Sequence, residues 1–121
     1  MEIIKERRRI REKRIEEARN WASRIPFRVT AVLIGSYARG DFNLWSDVDV
    51  LVISEEFGGK PLDRLRKLDV PSGYQIIALT PREFRKLLEK DEPMVMEAIK
   101  YGVVLRDDLG LFPLNCAKKS F

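Results

Sequence analysis

Apolar and polar positions along this chain change period several times, and each change marks an element. Ile15, Ala18, Ala22 and Ile25, with Ile4 further back, recur at spacings of three, four or their multiples, so the second half of an N-terminal helix has a packing face while its first half is nearly all polar. The period then shifts to an apolar run rich in β-branched residues, Val29-Thr30-Ala31-Val32-Leu33-Ile34, which predicts a strand that Gly35-Ser36 ends. A second strand is predicted over Asp47-Val48-Asp49-Val50-Leu51-Val52-Ile53, a third over Gly73-Tyr74-Gln75-Ile76-Ile77-Ala78-Leu79, and a short last one over Val103-Val104-Leu105-Arg106.

Helix signals fill the gaps. Pro61 suits the first turn of a short helix through Leu62, Leu65 and Leu68. Thr80-Pro81-Arg82-Glu83 is a capping box, and the helix it starts turns Phe84, Leu87 and Leu88 inward. Asp91-Glu92-Pro93 opens another helix with Val95, Met96 and Ile99 as core positions and Gly102 as its C-terminal stop. The expectation is one α/β (α+β) domain, a small mixed β-sheet flanked by helices, with a basic N-terminal helix over 1–25, a core over 28–106 and a tail over 107–121. Phe112 and Phe121 in that tail read as packing or partner contacts, and no internal repeat is present.

The chemistry concentrates at the junction of the first two strands. A strand that breaks at Gly35 into a helix N-terminus aims free backbone N–H groups at an anion. Asp47 and Asp49 stand two apart, so on a strand both carboxylates project from one face while Val48 and Val50 take the other. Two adjacent carboxylates repel unless a divalent cation lies between them, and oxygen ligands favour Mg²⁺ or Mn²⁺.

Gly35-Ser36-Tyr37-Ala38-Arg39-Gly40 followed by Ser46-Asp47-Val48-Asp49-Val50-Leu51-Val52 resembles the nucleotidyltransferases of the DNA polymerase β superfamily. Within it the stretch is most similar to the small single-domain branch of prokaryotes, the minimal nucleotidyltransferases, over roughly residues 28 to 106. The resemblance implies ATP or another NTP held through its phosphates by Gly35 and Ser36, metal on the catalytic pair Asp47 and Asp49, and adenylyltransferase-like transfer to a hydroxyl. It further implies a separately encoded HEPN-domain protein as partner and acceptor, with an antitoxin role, or a site completed in a homo-oligomer. On this reading the backbone N–H groups of Ser36 and Tyr37 and the Ser36 hydroxyl hold the β/γ-phosphates. Arg39, three residues after Ser36, either contacts a phosphate or pairs with Asp41 or Asp47. Asp41 and Ser46 shape the loop, and Phe42 and Trp45 either bracket the nucleotide or anchor that loop to the core.

One position departs from the family pattern. A third acid usually stands on a later strand, and the polar residue offered there is Gln75, which can neither take a proton nor neutralise a cation. If the missing acid lies elsewhere, Asp69 and Glu83 are the nearest in sequence. The second function class is therefore an NTP- or partner-binding module with weakened catalysis.

Composition adds bounds. At 121 residues, with 45% hydrophobic and 35% charged, the chain suits one ordered domain. No apolar run approaches the ~20 residues that span a bilayer, and the charged start does not read as a secretory signal. A single cysteine, Cys116, excludes an internal disulfide and suits a reducing cytoplasm, while the absence of histidine excludes His-based acid–base chemistry. Asn and Gln total four, a bias of heat-adapted proteins. The net charge of +4 arises in residues 1 to 24, where nine Lys/Arg face five Glu. Lys5, Arg7, Arg8, Arg9, Arg11, Lys13 and Arg14 there form a nucleic-acid-contacting arm, a docking surface for an acidic partner, or a solvated helix end. Aromatic residues that could stack on bases are absent from positions 1 to 20.

Overall fold

The computed structural model describes residues 2–113, in which α1 (Glu2–Ser23) leads into β1 (Thr30–Ile34), α2 (Gly35–Arg39) and β2 (Val48–Ile53). There follow α3 (Pro61–Leu65), β3 (Tyr74–Leu79), α4 (Pro81–Glu89), α5 (Pro93–Tyr101) and β4 (Val103–Asp107). Cys116 and Phe121 lie outside the described residues. The four strands form one mixed sheet in the order β3-β2-β1-β4, with β1 antiparallel to both neighbours and β2 parallel to β3.

Alternation along the central strands divides the core in two. Ala31, Leu33, Val48, Val50 and Val52 point to the α1 face, where Ile15, Ala18, Trp21, Ala22 and Ile25 cover them. Val32, Ile34, Leu51 and Ile53 point to the opposite face, against Phe84 and Leu88 of α4 and Val95 and Ala98 of α5. Both faces of β1 and β2 are thus covered, which is why β1 is apolar without interruption apart from Thr30. Thr30 is fully buried and donates its hydroxyl to Asp107 Oδ1 at 2.8 Å. Trp21, which the three-and-four spacing of the small residues did not single out, is among the buried members of α1 and donates its indole N–H to the Asp69 carbonyl at 2.7 Å. Ile4, by contrast, is exposed, so the packing face begins only near Ile10.

Helix ends follow the expected caps with one correction. Thr80 and Glu83 form the reciprocal capping box, at 3.1 Å to Glu83 N and 2.8 Å from Thr80 N, with Pro81 in the first turn. Glu92 caps α5 through Val95 N at 3.1 Å. Gly102 does end α5, but in extended backbone rather than the left-handed conformation of a glycine cap. Its need is steric: a Cβ there would overlap the Ala98 carbonyl and a methyl of Val32, so glycine lets the chain pass from helix into β4 against the sheet. The tail's start is tied down as well, because Asp107 accepts from Leu111 N and Phe112 N at 2.9 and 3.0 Å, and Phe112 packs against Phe84.

Candidate active site

The β1–α2 junction forms as a turn with φ +75° at Gly35, a backbone state that a residue with a Cβ avoids. A Cβ at Gly35 would also overlap the Asp49 carboxylate, which lies against this turn because Ile34 and Asp49 are register partners across β1 and β2. Gly35, Ser36 and Asp49 therefore meet in one cleft of about 440 Å³, whose walls also include Arg39, Gln75, Met94 and Glu97. Of the sequence-predicted residues, Gly35, Ser36, Arg39, Asp49 and Gln75 line it together. Tyr37 is buried on the other side of α2, its ring stacked on Phe42 at 4.5 Å between centroids, and is not among the residues that line the cleft.

Asp47 lies one residue before β2 rather than within it, and it is exposed. Its carboxylate is close enough to act on Asp49, whose pKa is raised by partial burial first and by the charge of Asp47 second, with Arg39 opposing and Glu97 adding. Gln75 is the register partner of Asp49 across the parallel β2–β3 pair, on the same face of the sheet. Neither alternative acid comes here. Asp69 sits in the loop before β3 beside Trp21. Glu83 is committed to its cap and to Arg64, which donates to its two carboxylate oxygens at 2.5 and 3.1 Å and holds its pKa down to about 2.

Glu97 is the residue that sequence reasoning missed. It is the single acid of α5, three residues after Met94 and thus on the same helix face. Arg39 pairs with both Glu97 and Asp41, with a separation of 3.2 Å to Asp41 Oδ2. The signal in the sequence was an acidic break among apolar positions whose neighbours Val95 and Ala98 are buried. The 41–47 loop is shaped by Asn43 and Ser46, whose Oγ accepts from Asn43 N at 2.9 Å while Asn43 Oδ1 accepts from Trp45 N at 2.8 Å. Phe42 anchors this loop, whereas Trp45 is 88% exposed and anchors nothing.

The donor set fits a divalent cation carried by a phosphate ligand. Asp47, Asp49 and Glu97 outnumber the one guanidinium among them, and that guanidinium is already shared by Asp41 and Glu97. Among the described residues no group of three or more His, Cys, Asp or Glu side chains is gathered as a metal cage. Mg²⁺ is commonly held by one or two carboxylates with substrate phosphates completing its shell, and the pair here matches that pattern. Among the described residues no helix is long and apolar enough to cross a membrane.

The fold has a solved counterpart. A crystal structure from Sulfolobus solfataricus, of a protein assigned as a nucleotidyltransferase, superposes with a TM-score of 0.51 at 24% identity, over 84% of this chain and 83% of that one. No curated protein matches the sequence. The family model described as "Nucleotidyltransferase domain" matches residues 12–106, which include β1 to β3, helices α2 to α5 and all but the last residue of β4. With that match over most of its length, and the glycine turn and Asp49 meeting in one cleft, the chain belongs to the nucleotidyltransferase domain family.

Proposed function

We propose that this chain transfers a nucleoside monophosphate, AMP in the first instance, from a metal-bound NTP to a hydroxyl of a protein partner, the new O–P bond replacing the bond to pyrophosphate, which leaves, and the hydroxyl's proton passing to solvent. The observation that carries this is the packing of the Asp49 carboxylate against Gly35, which sets the glycine turn and a carboxylate side by side in one cleft. In this reading the triphosphate lies along Ser36 and Arg39, and Asp47 and Asp49 hold Mg²⁺ or Mn²⁺. Bound there, the cation offsets charge developing at the α-phosphorus. Arg39 is held over the cleft by Glu97 and Asp41 and can pass from these carboxylates to a phosphate, exchanging one charge-assisted bond for another. Gln75 can orient an attacking hydroxyl by a hydrogen bond but takes no proton from it. The resemblance to the small prokaryotic branch supports a HEPN-type protein as acceptor and an antitoxin role.

Gln75 also favours a second reading, a module that binds NTP or partner with weakened transfer, since loss of a general base costs ~10²–10⁴ in rate. Incubation with labelled ATP, Mg²⁺ and a candidate partner, followed by intact mass, separates the two. Transfer predicts a partner heavier by one nucleotidyl group. Tight ATP–Mg²⁺ binding with no labelled protein favours the module, and no nucleotide binding overturns transfer and the NTP-binding form of the module.

A further inference from the structure

The basic N-terminal helix reaches α2 through arginines. Arg11 donates its Nε to the Tyr37 carbonyl at 2.7 Å and its Nη2 to the Ala38 carbonyl at 2.9 Å. One turn earlier Arg7 donates from Nη2 to the Phe42 and Gly40 carbonyls at 2.7 and 3.2 Å, with its guanidinium 4.5 Å from the centre of the Phe42 ring. These residues continue the buried stripe of α1: positions 7, 11, 14, 18 and 21 are separated alternately by four and three, with arginine at the first three and the buried Ala18 and Trp21 after them. Arginine thus stands where a core residue would otherwise face the domain.

A helix of five residues cannot hold its own shape, because it closes too few internal bonds to offset nucleation. Its last carbonyls have no partners within the helix. Arg11 supplies two of them, at Tyr37 and Ala38, and Arg7 holds the chain just past the helix at Gly40 and Phe42, so that the two arginines tie the end of α2 and the residues leaving it to α1. We propose that Arg7 and Arg11 are positioning residues of the nucleotide site, so that the N-terminal helix is a brace for the phosphate-binding turn. This rests on the nucleotidyl-transfer reading above.

The test compares wild type with Arg7→Ala/Arg11→Ala, Arg11→Lys and Arg8→Ala, Arg8 being an exposed residue of the same helix. Two readouts are taken: hydrogen exchange of the Gly40 amide, which donates to the Ser36 carbonyl at 2.8 Å, and the melting shift given by ATP with Mg²⁺. The double variant should exchange Gly40 about tenfold faster or more, as loss of charge-assisted hydrogen bonds implies, and lose the ligand shift. Arg11→Lys should fall between, since an ammonium lacks the fork that spans two carbonyls, and Arg8→Ala should match wild type. A full ligand shift retained in the double variant overturns the positioning role even if exchange rises. If the double variant is unfolded, Arg11→Lys decides, and wild-type values there overturn the proposal. No shift in wild type overturns the nucleotide reading, and this role with it.

Discussion

Gly35 and Asp49 occupy each other's space: the carboxylate of Asp49 lies where a side chain at Gly35 would begin. A left-handed backbone at that residue makes the demand for glycine twofold. Gly35→Ala should lower stability by about 1–2 kcal/mol from the backbone alone, and should displace Asp49 and abolish the melting shift given by ATP with Mg²⁺. Thermal denaturation with and without ligand checks both. A variant that keeps the full ligand shift would show that the carboxylate need not lie against the turn.

Asp47→Asn with Asp49→Asn should remove the synergy between Mg²⁺ and ATP without weakening the ligand-free fold. Partial burial, and then the charge of Asp47, disfavour the ionised form of Asp49, so neutral replacements at pH 7 should leave the ligand-free melting temperature equal or higher. An unchanged ligand response would remove both residues from the metal site.

Gln75→Glu places a proton acceptor opposite Asp49 on the adjoining strand. Transfer should rise by ~10-fold or more, part of the usual contribution of a general base, and metal affinity should rise with it. Tighter metal binding with no transfer would favour the binding module. If neither changes while wild type transfers efficiently, Gln75 is not the vacant position.

Glu83 governs acid stability at the β3–α4 corner. Its folded pKa of about 2 lies below the ordinary carboxylate value, so the stability it contributes is present above about pH 4.5 and is lost as pH falls toward 2. Because the side chain is 42% exposed, solvent screening limits the contribution of its ion pair to about 1 kcal/mol or less. Glu83→Gln should keep the cap geometry, lower stability slightly at pH 7 and flatten the acid limb of a denaturation series between pH 5 and 2.

How far the sequence reaches differs by element. Strand and helix types and the capping box were legible, since each depends on period or chemistry within a few residues, and so was the nearness of Asp49 to Gly35-Ser36, while Asp47 stays outside the cleft lining. The order β3-β2-β1-β4 was not, because nothing local says which strand edges meet. Gln75 could be matched to Asp49 only through that pairing. Glu97, far along the chain from Arg39, enters the cleft because α5 packs beneath β1 and turns the face carrying Met94 and Glu97 toward α2. Arg7 and Arg11 show the same division. Their alignment with the buried stripe was written in the spacing, but a guanidinium suits solvent, a phosphate or a carbonyl equally well. Their assignment to the open carbonyls of α2, for Arg11, and of the residues just after it, for Arg7, was decided by the tertiary packing that brings a helix too short to satisfy itself beside them.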